Sequence, residues 1–174
     1  LRNAINPIPE HKKEKTDTIN LIYHTTPHRG LELLVPVVDF LVNKGKKIHL
    51  DVYSSFEMYG WANRDEPYQK VFDRIKASDN MTYHGYQPND VVRKALQKAH
   101  IFAYPNIWPE TSCIAMLEAL SAGCTVVHPN YGALPEASNN FGVMYGWEED
   151  ANKHANKFCQ ILDAVIDDYW SKTN

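Results

Sequence analysis

"PNIWPETSCIAMLEALSAGCTVVHPNYGALPEA", residues 105–137, decides the fold. It passes from a polar loop into an apolar, Ala-rich run, then a β-type run, then a Gly-Pro turn. The apolar run has helical spacing and Gly123 at its end, a helix stop. "TVVHP" (125–129) is a strand too short to be anything longer. Two glutamates frame the first junction. Glu110 lies in the loop, and Glu118 lies among Ile114, Leu117, Ala119 and Leu120. A carboxylate in such surroundings must be paired or put to use.

The same alternation runs outward in both directions. Strands are predicted at 18–24, 48–54, 81–85, 101–105, 125–129 and 142–146. Helices are predicted at 30–45, 66–77, 88–99, 112–123 and 149–170, with a short helical turn at "LPEAS". Gly45 stops the first helix, and Pro36 within it predicts a kink. Strands alternating with helices imply right-handed crossovers. The expected fold is α/β: one doubly wound, Rossmann-like parallel sheet covered on both faces.

Composition narrows the function. The 174 residues suit one domain, with 44% hydrophobic and 22% charged residues. A net charge of -3 offers no basic footprint for nucleic acid. Cys113, Cys124 and Cys159 form no C-x-x-C pair, and an odd count argues against a disulfide framework. A reducing, cytoplasmic setting is expected. No apolar run approaches the roughly 20 residues of a membrane span. The chain opens on Leu1 rather than Met, with a polar, Pro- and Lys-rich start. Residues 1–16 are therefore expected to be the remnant of an interdomain linker, and 17–174 the domain proper.

A doubly wound sheet binds ligands beyond the carboxyl ends of its strands. That rule selects the loops 24–30, 54–65, 85–89 and 105–112. "PETSC" opens the Glu118 helix with the small residues Thr111, Ser112 and Cys113, which let an anion approach backbone N–H groups. "PHRG" (27–30) opens the first helix and adds Arg29 beside Gly30. Two helix starts and an arginine around one crevice suit a diphosphate. A carboxylate such as Glu118 suits the paired hydroxyls of ribose. Glu110, on the phosphate side, can accept from hydroxyls on whatever the diphosphate carries. Ribose, diphosphate and polyhydroxyl group together describe a nucleotide-sugar.

Plainer readings stand beside these. Glutamates at E-x7-E spacing occur on many solvated helix faces, and a lone arginine is usually at the surface. Cys113 has no evident base and reads as a small residue at a helix start rather than a nucleophile. Tyr86 and Trp108 either stack on a ligand or shield the loop. His24 and His28 flank Thr-Thr-Pro, which denies a helical zinc pair. "NMT" at Asn80 is a chance glycosylation triplet. G-x-G-x-x-G, the Walker A pattern and a D-x-D triplet are absent, against dinucleotide oxidoreductases, P-loop enzymes and metal-dependent glycosyltransferases.

The opening stretch resembles the donor-site signature of retaining, metal-independent glycosyltransferases of family four, which have the GT-B fold. That signature runs P-S/N, a few residues, E-x-F/S-G/C, a hydrophobic stretch, E-A-x-A-x-G, V-V and G-x-x-E. Pro105, Asn106, Glu110, Glu118, Ala119, Gly123, Val126, Val127, Gly132, Pro135 and Glu136 match it in order. "TINLIYHTTPHRGLELL" is similar to the family's first strand and K/R-G loop, and "MTYHGYQPNDVVRKALQKAHIFAYP" to its base-binding segment. "LRNAINP" is similar to the linker leaving an N-terminal domain.

The resemblance implies the donor-binding half of such an enzyme. No cofactor or metal is implied. The substrate is a nucleotide-sugar of UDP or GDP type, and the acceptor, a glycan or other molecule, is held by an N-terminal domain outside this chain. Glu118 would bind ribose and Glu110 the donor sugar. Ser112, Cys113 and Ile114 would present backbone near sugar and diphosphate. Arg29, before Gly30, would stabilise the leaving diphosphate, and Tyr86 would lie next to the base. One departure stands out. Many members carry a second arginine at the end of the first strand, where this chain has Tyr23, His24 and Thr25. Arg29 with helix-start amides, or Arg64, would then carry the leaving group. Two other readings remain: a nucleotide- or phosphosugar-binding module without chemistry, and a GT-B sugar-nucleotide epimerase.

Overall fold

The computed structural model describes residues 3–9 and 11–172. Leu1, Arg2 and Glu10 of the expected linker and Thr173 and Asn174 of the expected domain lie outside the described residues. Six strands form one parallel sheet: β1 (Ile19–Tyr23), β2 (Ile48–Val52), β3 (Met81–Tyr83), β4 (Ile101–Ala103), β5 (Thr125–Pro129) and β6 (Val143–Tyr145). Their order is β3-β2-β1-β4-β5-β6. The chain winds outward from β1 on one side, then returns to β4 beside it and winds the other way. Leu21 is in register with Leu50 of β2 and Ile101 of β4. The doubly wound, Rossmann-like fold is as expected.

The helices are α1 (Leu31–Asn43), α2 (Gln69–Lys76), α3 (Asn89–Lys98), α4 (Ile114–Ser121), α5 (Leu134–Ser138) and α6 (Ala151–Lys172). Every predicted strand and helix has its counterpart, most of them trimmed at the ends. Central strands are apolar on both faces because helices cover both. In α2 only Val71, Phe72 and Ile75 are buried, the stripe expected of a surface helix. α1 runs on through Pro36, which lies on its exposed side, where water can satisfy the carbonyl left without its N–H donor. It stops at Gly45, whose N–H donates to Val42 O while Lys46 N–H donates to Leu41 O. This is a Schellman closure, and Gly123 ends α4 by the same pair of bonds.

Residues 3–9 and 11–18 carry no helix or strand, yet they are packed. Ile8 is 4% exposed, and its N–H donates to Ser121 Oγ at 2.8 Å. Lys13 Nζ donates to Leu96 O at 2.7 Å, capping α3. The segment lies along α3 and α4. The sequence missed two 3-10 stretches, Phe56–Tyr59 and Ala62–Tyr68, that fill the long connection after β2. Asp65 pins them by accepting from Ser55 Oγ and Phe56 N–H.

The two loops at the switch point meet at Gly30, which has φ of 116°. A Cβ there would sit 2.2 Å from Pro105 O, whereas one at Gly45 (φ 96°) would meet nothing within 4 Å. Gly45→Ala should therefore cost only the strain of a left-handed alanine, about 1–2 kcal/mol. Gly30→Ala should cost at least about 2 kcal/mol more, because overpacking adds to that strain. Urea unfolding of both variants decides this, and equal losses would mean that the loop can retreat from Pro105.

Candidate functional site

The loops on either side of that contact open a cleft of about 480 Å³ at the carboxyl ends of the strands. Each of the four loops selected from the sequence contributes to its wall. Arg29, Tyr86, Glu110, Ser112, Cys113, Ile114 and Glu118 all line it. Gly30 does not: its part is the close approach to Pro105 that lets Arg29 stand beside the β4–α4 loop.

Arg29 and Glu110 meet directly. Arg29 Nε donates to Glu110 Oε1 at 2.7 Å, and Tyr104 OH donates to the same oxygen at 2.7 Å. Arg29 Nη1 also donates to Thr26 Oγ1. Their side chains are only 16% and 8% exposed, so the pair is screened weakly. The second half of the opening stretch braces this loop from behind. Ala133 N–H donates to Glu110 O at 2.7 Å, and a Cβ on Gly132 would lie 2.6 Å from Glu110 N.

Glu118 is held separately. Its Oε1 accepts from Asn89 Nδ2 and from Arg93 Nη1, each at 3.1 Å. Its Oε2 has only a long contact of 3.4 Å to Asn89. A carboxylate oxygen has two lone pairs, so Oε2 retains capacity for a ligand hydroxyl. The sequence reading foresaw a paired carboxylate but not its partners. Asn89 and Arg93 stand four apart on α3, one face of one helix, and that spacing was the available signal. Tyr104 was also missed, because a tyrosine directly after a buried strand reads as core.

The electropositive side of the cleft is thin. Among the described residues lining it, Arg29 is the one lysine or arginine. Arg64 lies elsewhere, its guanidinium 4.4 Å from the centre of the Trp61 ring. His24 occupies the end of β1, packed 4.6 Å from Phe102 between ring centres, with Nε2 unpartnered. Burial pushes its pKa down to about 3, so it carries no charge near neutrality. Burial pushes the Cys113 thiol up to about 12, with the Glu110 charge acting the same way, so it is no thiolate nucleophile. Trp108 and Tyr86 are about equally exposed, at 47% and 45%, but Tyr86 lines the cleft wall, whereas Trp108 lies outside it and packs edge-on against His28 at 4.7 Å. The three cysteines are free. Among the described residues no helix is long and apolar enough to cross a membrane.

The family described as glycosyl transferases group 1 matches residues 21–164. The chain is 23% identical over 168 residues to the phosphatidylinositol N-acetylglucosaminyltransferase gpi3 subunit of Schizosaccharomyces pombe, covering 95% of this chain and 34% of that protein. It is 29% identical over 111 residues to O-antigen chain mannosyltransferase B of Escherichia coli, covering 64% and 27%. The crystal structure of TarM superimposes with a TM-score of 0.63 at 20% identity, over 98% of this chain and 33% of that one. A glycosyltransferase from Rickettsia africae superimposes with a TM-score of 0.60 at 15% identity, over 90% and 44%. The chain thus spans about a third or less of the curated relatives it matches. The architecture is one half of a GT-B glycosyltransferase fold. The chain belongs to the glycosyl transferases group 1 family.

The buried His24 generates a test of the cleft floor. In the unfolded chain its pKa returns to 6.5, against about 3 when folded. Between those values the unfolded state holds a proton that the folded state lacks, so stability falls as pH drops through that window and is flat above it. His28, pushed down to about 4 by burial and by Arg29, acts in the same direction. From pH 6.5 to about pH 5 His24 alone should remove about 2 kcal/mol. His24→Gln should flatten the pH dependence of urea-derived stability by about one proton in this range. An unchanged slope would show that His24 accepts its proton while folded.

Proposed function

We propose that this chain is the donor-binding domain of a glycosyltransferase that uses a nucleoside-diphosphate sugar. The observation that carries the reading is the pair of glutamates at separate points of one cleft, with the start of α4 between them. Glu118, with Oε2 open to a further donor, takes the ribose hydroxyls. Ser112, Cys113 and Ile114 begin α4 beside the cleft, where first-turn N–H groups have no intrahelical acceptor and suit phosphate oxygens. Arg29 meets the diphosphate, and Glu110 accepts from the hydroxyls of the sugar. Tyr86 lies next to the base. An N-acetylglucosaminyl- and a mannosyltransferase among the relatives support a hexose or N-acetylhexosamine as the donor sugar, on a UDP or GDP carrier.

The full enzyme would transfer that sugar with retention of configuration and without a metal. An N-terminal domain, reached through residues 1–16, would hold the acceptor. Preorganised dipoles and one arginine would stabilise the departing diphosphate. The free, partly buried cysteines suit a reducing cytoplasmic setting. A second reading, a binding module without chemistry, draws on the scarcity of charge: His24 is neutral and Arg29 is already paired with Glu110.

Calorimetry with nucleoside, nucleoside diphosphate and nucleotide-sugar tests the assignment. A hydrogen bond to a charged group is worth about 1.5–3 kcal/mol, so losing one should weaken binding roughly 10- to 150-fold. Arg29→Ala should weaken nucleoside diphosphate and spare nucleoside. Glu118→Gln should weaken diphosphate and nucleotide-sugar alike, near the lower figure because an amide still accepts. Glu110→Gln should weaken only the nucleotide-sugar; plain diphosphate should bind at least as well, since Arg29 loses its competing anion. Equal damage to diphosphate binding by both glutamine variants, with the fold intact, would refute the division of roles. Sugar transfer or donor hydrolysis by the whole enzyme that is lost in Arg29→Ala would remove the binding-module reading.

A further inference from the structure

We infer that residues 3–9 belong to the donor site and that Arg93 is the positioning residue joining them to Glu118. The inference rests on the reading of Glu118 as the ribose carboxylate. Arg93 is a three-way tie. Its Nη1 donates to Glu118 Oε1 at 3.1 Å, and its Nη2 donates to Asn6 O at 2.8 Å and Pro7 O at 3.0 Å. One planar guanidinium thus holds the carboxylate with one nitrogen and the N-terminal segment with the other. A rigid fork cannot shift one arm without the other. The segment is secured again just beyond, where Ile8 N–H donates to Ser121 Oγ on the helix that carries Glu118. At its other end Asn3 lines the cleft itself.

The geometry has a thermodynamic consequence. A ligand that fixes Glu118 also fixes Arg93, and so favours the docked segment. Linkage makes the effect reciprocal: docking of residues 3–9 raises affinity for ribose. Asn89 alone would leave Glu118 free to swing about one amide contact. Lysine in place of Arg93 keeps the charge but offers a single ammonium, which cannot serve the carboxylate and both carbonyls in the same fixed plane.

The test uses UDP and GDP, each in its ribo and 2′-deoxyribo form, with the whole chain. Binding is measured by calorimetry and the Ile8 amide is followed by hydrogen exchange. In the wild type, the tighter ribonucleoside diphosphate should slow exchange at Ile8. Arg93→Lys should raise Kd for that ligand by about 5- to 10-fold, the low end of ordinary coupling. It should also shrink the preference for ribo over deoxyribo and speed exchange at Ile8. Ser121→Ala removes the acceptor of Ile8 and leaves Arg93 and Glu118 untouched; it should shift Kd and the ribo preference in the same direction by a smaller factor. A merely structural role for Arg93 would lower the melting temperature without changing the ribo preference. Wild-type binding with no ligand response at Ile8, and an unchanged ribo preference in both variants, would overturn this inference and leave the ribose reading standing. Absence of any nucleotide binding by the wild type would overturn both.

Discussion

Everything at the cleft depends on how closely two loops approach between β1 and β4. These strands are neighbours in the sheet, although they stand some eighty residues apart in the chain. Their following connections leave the sheet in opposite winding directions, and a crevice opens where they part. At its back, Gly30 lies against the carbonyl of Pro105 with no room for a Cβ. That contact sets where α1 starts, and so where Arg29 stands. It also sets where the β4–α4 loop runs, and so where Glu110 stands. The ion pair between them is a product of backbone packing, not of side-chain reach. The Gly132 loop presses on the far side of Glu110 and completes a three-layer stack of backbone. The quoted stretch therefore works as a unit: 105–110 places a carboxylate, 112–123 opens a helix beside it, and 132–133 prevents the loop from relaxing.

Much of this was legible in the sequence, for reasons that differ from residue to residue. Strands and helices could be read because their apolar periods differ and because Gly45 and Gly123 mark stops that only a left-handed residue makes easily. Glu118 could be read because a carboxylate in an apolar run is anomalous unless it has a partner. The partners themselves come from α3, about twenty-five to thirty residues earlier, and the four-residue spacing of Asn89 and Arg93 marks one helix face without saying which element that face meets. Tyr104 illustrates the opposite difficulty. Its ring is core, stacked 4.9 Å from Phe102, while its hydroxyl orients Glu110. No local pattern separates those two roles. The 3-10 stretches after β2 were hidden because no apolar periodicity marks them; Asp65, within the second, ties it to Ser55 and Phe56 at the start of the first. The N-terminal segment reads as a polar linker, and only the fold shows Ile8 buried against α4.

The two glutamates are alike in sequence and unlike in physics. Glu110 faces a cation and a phenol at one oxygen, so its charge is largely compensated within the loop pair. Glu118 shares its cation with two backbone carbonyls, since Arg93 divides its donors among three acceptors. The Arg93–Glu118 contact is 3.1 Å long, against 2.7 Å for Arg29–Glu110, and charge-assisted bonds are strong when they are short. Glu118 is thus held by the longer bonds of the two, and its Oε2, with one contact at 3.4 Å, keeps room for added donors. A pair of neutral hydroxyls, which bring donors without bringing charge, suits that room.

The same accounting bears on the leaving group. The cleft wall carries two carboxylates and one guanidinium, with His24 uncharged. An arriving diphosphate adds further negative charge to a region that is not positive to begin with. Two features can offset this. First-turn amides of α4 present partial positive charge that no carboxylate in the cleft neutralises. Arg29 can also divide its donors: Nε serves Glu110 and Nη1 serves Thr26, which leaves Nη2 and the second hydrogen of Nη1 for phosphate oxygens. Arg29 need not break its pair with Glu110 to meet a diphosphate. If it keeps that pair, then the group that stabilises the departing charge and the group that orients the sugar share one hydrogen bond. Displacement of either by about an ångström would displace both, so the chemistry of leaving and the positioning of the sugar are tied at the Arg29–Glu110 contact.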